Sequence, residues 1–183
     1  MTTVTGRQRT VILATQRGTL PLVRHWLLGA NALNAALVGL SMLAPYLRHV
    51  GWDRVAMAIS GLYGTLCAQT PTHSFYLYGH PVALCERCLA IYGALLVGGV
   101  LFARLRPTVS RLPLLIFFAL SLPVGLDGVT QALGWRESTR ELRLLTGGLF
   151  GLATVWLAYP YLEAGFSEAR ATVEQRFVRL GIQ

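Results

Sequence analysis

The stretch that decides the fold is Cys85-Glu86-Arg87-Cys88 with the apolar run that follows it, Leu89 to Ala103, which together read CERCLAIYGALLVGGVLFA. A helix needs about 20 predominantly apolar residues to cross a hydrocarbon core, and this stretch is close to that length. We therefore expect a membrane helix that begins with two thiols one helical turn apart. Thiols in this arrangement bind a metal ion, form a redox disulfide or pair with another cysteine.

The composition of the whole chain also indicates a membrane protein. The 183 residues are 54% hydrophobic and 13% charged, and the mean hydropathy is +0.51. A soluble domain of this length needs more polar surface. The formal net charge of +8 comes from arginines that lie between apolar runs, since the chain has no lysine. Arginines in these positions orient a protein in the bilayer, so we expect lipid as the partner and no nucleic-acid binding.

Three more apolar runs have the length of a membrane span. The four predicted spans are residues 25–44, closed by Pro45, then 84–103, 112–133 and 142–162. Because the lipid core offers the backbone no hydrogen-bond partners, each span is expected to be a helix. The predicted fold class is all-α, a polytopic membrane protein with a bundle of four transmembrane helices.

Residues 53–66 form a shorter helical pattern. Apolar side chains recur at helical spacing, among them Ile59, Leu62, Tyr63 and Leu66. At a rise of about 1.5 Å per residue this segment is too short to cross a membrane. We therefore predict a short amphipathic helix before the Cys-containing loop, lying on the membrane surface or against the bundle.

The spans divide the chain into a cytoplasmic N-terminal segment at 1–24, a helical membrane domain at 25–162 and a cytoplasmic C-terminal tail at 163–183. With four spans, both ends and the loop at 104–111 lie on one side of the cell membrane. Ten of the 16 arginines are on that side: Arg7, Arg9, Arg17, Arg24, Arg104, Arg106, Arg111, Arg170, Arg176 and Arg179. Cytoplasmic loops carry the excess of basic residues, so this side is predicted to be cytoplasmic.

The opposite, extracytoplasmic end collects the polar side chains of the predicted site. They are Cys67, His73, Cys85, Cys88, Asp127, Gln131 and Arg143. A carboxylate within a membrane helix is costly, so Asp127 is expected to be functional or to form a buried pair with Arg143 or Arg87. We expect Asp127, Gln131 and Arg143 to supply the ligand-binding part of the site.

Two strings resemble the signature of the bacterial and archaeal membrane family called domain of unknown function 2085. They are Cys67-Ala68-Gln69-Thr70-Pro71-Thr72-His73-Ser74-Phe75 and Cys85-Glu86-Arg87-Cys88-Leu89-Ala90-Ile91-Tyr92-Gly93. The family's order continues at Pro123, Asp127-Gly128, Gln131, Gly134, Ser138, Leu142-Arg143 and Thr146-Gly147. The resemblance covers about residues 60–151. Where the family usually has His, Arg and Gly, this chain has Ala68, His73 and Ala90. The resemblance implies a residue set and not an activity.

The first hypothesis for the thiols is a metal site. Cys67, Cys85 and Cys88 would bind as thiolates, and the fourth ligand would be His73, His80 or Asp127. Thiolates together with imidazole suit zinc or iron, and a gap of two residues lets both sulfurs reach one ion. We take a zinc or iron site, with His73 as the fourth ligand, as the leading prediction.

Two other functions remain open for the same residues. Cys85 and Cys88 are candidate catalytic residues of a thiol–disulfide oxidoreductase, because a helix N-terminus and Arg87 both favour the thiolate. Alternatively, a structural disulfide joins Cys67 to Cys85 or Cys88, and the protein has no catalytic role. Whether the protein is an enzyme is therefore an open question at the level of sequence.

Overall fold

The computed structural model describes the backbone of residues 6–106 and 108–179. In chain order, its elements are α1 (Gly6–His49), α2 (Asp53–Tyr63), a 3-10 turn (Pro71–His73), β1 (Ser74–Leu77), β2 (His80–Cys85), α3 (Glu86–Leu105), α4 (Leu114–Ala132) and α5 (Arg140–Arg179).

Four helical stretches have the length and the apolar composition of membrane spans. They are Arg24–His49, Glu86–Leu105, Leu114–Ala132 and Arg140–Gln175. The predicted all-α membrane fold with four spans is thus confirmed. So is the predicted short helix before the Cys-containing loop, which is α2 and has 11 residues. The chain is a membrane protein whose four long helices form a bundle.

Two helices extend past the ends that the sequence predicts. The first span was expected to end at Ala44, but α1 continues through Pro45 to His49. The ring of Pro45 is fully buried, and its packing offsets the backbone hydrogen bond that proline cannot donate. Likewise α5 passes through Pro160 and runs beyond Leu162 to Arg179. Much of the segment predicted as a separate C-terminal tail is therefore a continuation of the last helix.

The N-terminal segment is also helical, since α1 begins at Gly6. Its backbone leaves helical geometry at His25, where φ is −114° and ψ is 18°. This kink falls at the predicted start of the first span. A change of helix direction there separates the apolar stretch from the arginine-containing residues before it.

A β-hairpin precedes the second span and corrects the predicted start of that span. The sequence predicts a helix from about Leu84, whereas β2 continues to Cys85 and α3 begins at Glu86. A short apolar run is compatible with either a strand or a helix, and Val82, Ala83 and Leu84 are buried as strand residues. The strand delivers Cys85 directly to the N-terminus of α3.

The turn of this hairpin is fixed by two residues with positive φ, Tyr78 at 53° and Gly79 at 78°. Positive φ at both central positions is the geometry of a type I′ turn, whose twist matches that of the paired strands. The register then shifts between Tyr76 and Ser74, so that Ser74 pairs with Cys85, next to the bundle. At the other end of the hairpin, the ring of Tyr78 stacks on His49, 4.9 Å away between centroids. The hairpin therefore rests on the end of α1.

Two glycines let α3 and α5 approach closely. A Cβ at Gly147 would lie 2.6 Å from the carbonyl oxygen of Arg87, and a Cβ at Gly151 would lie 2.7 Å from that of Ile91. The two glycines are four residues apart on one face of α5, the spacing that brings membrane helices into backbone contact. This contact sets the position of the first turn of α3, which carries Arg87 and Cys88.

Gly147→Ala and Gly151→Ala are each expected to lower the free energy of unfolding by about 1–3 kcal/mol, because the added methyl group pushes α3 away from α5. The measurement is denaturant unfolding of the chain purified in detergent. Gly148→Ala is the matched control, since nothing lies within 4 Å of its Cβ position. Equal stability of all three variants would contradict the close contact.

Candidate functional site

The three cysteines of the chain meet at one end of the bundle. Cys67 follows α2, Cys85 ends β2, and Cys88 lies in the first turn of α3. Their sulfur atoms all lie within 4.8 Å of one another. Cys67 is buried, Cys85 and Cys88 are half-buried, and all three are free thiols. The hairpin and α2 thus bring together residues that are up to 21 positions apart in sequence.

Backbone groups point at the sulfur of Cys67. The N–H of Cys85 donates to this sulfur at 3.3 Å, and the N–H of Gln69 does so at 3.5 Å. Hydrogen bonds from the thiols of Cys85 and Cys88, together with these N–H groups, hold the pKa of Cys67 well below its ordinary value. The same thiol contact with Cys67 raises the pKa of Cys85. The cluster favours negative charge on Cys67.

Gln69 holds the segment that carries Cys67. Its side-chain amide donates to the carbonyl oxygens of Ser60 and Ala83, each at 2.8 Å. These two bonds join the end of α2 to β2. The backbone of Gln69 has a φ of 50°, which costs free energy for a residue with a side chain and persists only where its surroundings impose it. The clamp therefore fixes the distance between Cys67 and Cys85.

Beside the thiols, Asp127 is almost fully buried at 2% exposed and accepts three hydrogen bonds. Its donors are Arg87, whose guanidinium pairs directly with the carboxylate, Arg136 at 2.7 Å and Ser138 at 2.8 Å. The Arg87 guanidinium also donates to Gln131 at 3.0 Å. Of the two partners predicted for Asp127, Arg87 is the one that the structure shows.

Arg143, the other predicted partner, pairs instead with Glu86. Its Nη1 donates to Glu86 at 3.1 Å, and Arg140 donates to the same carboxylate at 2.8 Å. Arg140 and Arg143 are three residues apart and therefore share the face of α5 that meets the start of α3. The pairing of Arg143 with Asp127 is corrected because Asp127 is already surrounded by residues from α3 and from the loop after α4.

The structure places His73 outside the thiol cluster. The side-chain amide of Gln131 contacts its Nδ1 at 3.0 Å. His80 pairs with Leu77 at the turn end of the hairpin, away from Cys85 at the other end of the strand. The carboxylate of Asp127 is already paired with Arg87 and Arg136. In the part of the chain that the structure describes, the atoms that lie close enough together to bind one metal ion are the three cysteine sulfurs.

A cavity of about 530 Å³ opens between these elements. Its walls come from the loop after α2, the junction of β2 with α3, the end of α4 and the start of α5. Among the lining residues are Gln69, His73, Cys85, Arg87, Gln131 and Arg143. Cys85 is the one cysteine among the residues that line it. The cavity therefore connects the thiol cluster to the arginine network.

The sequence did not predict a place in the site for several residues of this end. They are Gln69, Glu86, Arg136, Ser138 and Arg140. Glu86 reads as an ordinary acidic residue in the first turn of a helix, although it is 1% exposed. Four arginines flanking two carboxylates at the ends of membrane helices were a usable signal, since charges at such positions tend to pair. The role of Gln69 had no comparable signal.

Comparisons with known proteins agree with a membrane protein. The family model described as "Predicted membrane protein (DUF2085)" matches residues 67–157. The chain is 34% identical to an uncharacterized protein of Methanocaldococcus jannaschii over 125 residues, which are 64% of this chain and 80% of that protein. It is 37% identical to an uncharacterized protein of Methanothermobacter thermautotrophicus over 84 residues, 45% of this chain and 74% of that protein. No solved structure matches the chain.

Gln69→Ala is expected to reduce the free energy of unfolding by about 1–3 kcal/mol, because it leaves the carbonyl groups of Ser60 and Ala83 without their donor. It should also speed the alkylation of Cys67, since the segment that carries this thiol loses its clamp. Unfolding in detergent and thiol-labelling rates measure the two effects. Gln175→Ala, at an exposed position of α5, is the control. Unchanged labelling of Cys67 in Gln69→Ala would contradict the role of the clamp.

Proposed function

Because the chain belongs to the family of predicted membrane proteins called domain of unknown function 2085, whose description names no activity, we propose a function from the site itself: the protein binds zinc or iron through Cys67, Cys85 and Cys88. The observation that carries the proposal is the approach of the three sulfurs to within 4.8 Å of one another. The two backbone N–H groups aimed at Cys67 support it, since they stabilise a thiolate.

The spacing of the sulfurs suits a tetrahedral ion. With Zn–S bonds of about 2.3 Å, two sulfurs on one ion lie roughly 3.8 Å apart. The thiols therefore need to draw together by no more than about 1 Å, a small side-chain rotation. Cys88 on α3 and Cys85 at its N-cap supply two ligands from one turn, and the Gln69 clamp holds the third.

Three protein ligands leave a fourth position on the ion. In zinc proteins an open fourth position, filled by water or substrate, is typical of catalytic sites, whereas structural sites are closed by four residues. Cys85 lines the cavity, so the fourth position is expected to face it. His73 would become the fourth ligand only by breaking its contact with Gln131. Gln131, Arg143 and Arg87, which Asp127 holds from behind, then form the wall that a ligand in this cavity would contact.

The chain purified in detergent without added metal is expected to contain about one zinc or iron ion, since three thiolates make a strong soft-ligand set. Elemental analysis and a count of free thiols on the same sample measure this. Cys67→Ser and Cys85→Ser should lose the metal. Ser74→Ala, a change at the residue paired with Cys85, is the control and should retain it. His73→Ala separates the two ligand sets: loss of metal makes His73 a ligand, and retention leaves the fourth position open.

A chain without metal in which two thiols are oxidised would overturn metal binding and favour thiol–disulfide exchange. The observation behind this second function is that Cys85 faces the cavity with Cys88 one turn behind it. In that reaction the Cys85 and Cys88 thiols release two protons and two electrons as their disulfide forms, and a quinone that takes up both becomes the quinol. Reduction of an added quinone by the reduced chain, lost in Cys88→Ser, would support it.

We further propose that the site lies on the extracytoplasmic side of the cell membrane. The support is the distribution of arginines: seven lie towards the two termini, and three more, Arg104, Arg106 and Arg111, lie at the end of α3 and in the loop after it. The cysteines belong to the opposite end of the helices, where α3 begins and α4 ends.

Glu137→Cys and Ser110→Cys test this orientation, because both positions are exposed and lie in the loops at opposite ends of α4. A membrane-impermeant maleimide applied to intact cells is expected to label Glu137→Cys above the level of the unmodified chain. Ser110→Cys should react only after lysis. The reverse pattern would place the site in the cytoplasm and contradict the positive-inside assignment.

A further inference from the structure

The cavity beside the thiols contains buried guanidinium groups with unused hydrogen-bond donors. Arg143 is 5% exposed, and its Nε has no partner in the part of the chain that the structure describes. The same holds for the buried Nε of Arg87. A buried charged donor without an acceptor is unfavourable. Both arginines also line the cavity, so their guanidinium groups border the space in which a ligand would bind.

The charged side chains that line the cavity are mostly basic. Four guanidinium groups, those of Arg87, Arg136, Arg140 and Arg143, share the two buried carboxylates of Glu86 and Asp127. Two further acidic residues, Glu137 and Glu141, are exposed at the rim, where water screens them. The charged residues that line the cavity are three arginines, Arg87, Arg136 and Arg143, and one carboxylate, that of Glu137, so the cavity wall carries more positive than negative charge.

We propose that this cavity binds an oxyanion, the phosphate or carboxylate group of a larger molecule, through Arg87, Arg136 and Arg143. Guanidinium groups present planar sets of N–H donors that match the oxygens of phosphate and carboxylate. Gly128 has no side chain to cover Arg87, whereas a Cβ at that position would be in contact with Nη1, at 3.6 Å. The proposal does not depend on a metal at the thiols.

The size of the cavity indicates that the oxyanion is one group of a larger ligand. About 530 Å³ lies within the usual range of small-molecule sites, roughly 300–1,000 Å³, and exceeds what a single phosphate ion fills. Two sources share this chemistry. A soluble anion would enter from the aqueous side, and a phospholipid headgroup would enter from the membrane, where basic pockets between helices bind lipid phosphates.

The test uses the full chain in a non-ionic detergent and phosphate-free buffer, titrated by calorimetry with inorganic phosphate and, separately, with phosphatidylglycerol. Phosphatidylcholine is the control lipid for headgroup charge. Arg136→Gln and Arg140→Gln form a matched pair, because each removes a guanidinium from a buried carboxylate but only Arg136 lines the cavity. Arg136→Gln is expected to weaken binding by about tenfold or more, and Arg140→Gln by less than about twofold.

Arg143→Lys provides a second variant that keeps the charge opposite Glu86 while removing the planar set of donors. Its binding should also fall by about tenfold, with the unfolding midpoint near that of the unmodified chain. Saturable binding of phosphate with this pattern supports a soluble ligand. Binding of phosphatidylglycerol alone, with the same pattern, supports a lipid headgroup. Binding of neither probe, or equal loss in Arg136→Gln and Arg140→Gln, overturns the proposal.

Discussion

The ion pair between Arg87 and Asp127 is the interaction on which this end of the protein depends. It joins the first turn of α3 to the last turns of α4, and Gln131 adds a second acceptor for the same guanidinium. Neither charge is tolerable alone in a membrane helix, because the surrounding lipid cannot solvate it. Arg87 lies between Glu86 and Cys88 in the sequence, so its ion pair with Asp127 also fixes the positions of these two neighbouring residues. Holding the Arg87 guanidinium in place therefore also positions the Cys88 thiol and the Glu86 carboxylate.

Close packing makes this pair geometrically possible. Gly147 allows the backbone of α5 to touch the carbonyl of Arg87, so the first turn of α3 is held against α5. From there Arg140 and Arg143 reach Glu86. The polar end is a set of charges arranged around two helix N-termini and one helix C-terminus. Cys85 belongs to the thiol cluster and also lines the cavity, so the two features meet at this residue.

The spans were predictable because lipid imposes a length and an apolar composition on any helix that crosses it. The α2 helix was predictable from its periodicity. The strand at Val82, Ala83 and Leu84 was not, since a short apolar run has no period that separates a strand from a helix. The predicted end of α1 was wrong because proline usually ends a helix, whereas here the packing around the buried Pro45 lets the helix continue. That packing depends on the tertiary fold and is not visible in the local sequence.

Within the site, the sequence indicated which residues gather at one end but not how they pair. Asp127 had two arginines within reach, and the choice between them depended on Glu86, whose burial no local pattern reveals. Gln69 is a similar case, because an amide in a loop gives no sign that it bridges two backbone carbonyls. Pairings of this kind arise from the relative placement of elements, which only the folded chain defines.

The separation of the charged partners along the chain also has a consequence for biosynthesis. A nascent chain that has reached Ala132 contains both Arg87 and Asp127, but neither of the arginines that neutralise Glu86 has yet been synthesised. Glu86 therefore lacks both of its ionic partners until the start of α5 has been synthesised. The charge pairs of the polar end can thus be completed only once α5 has joined α3 and α4.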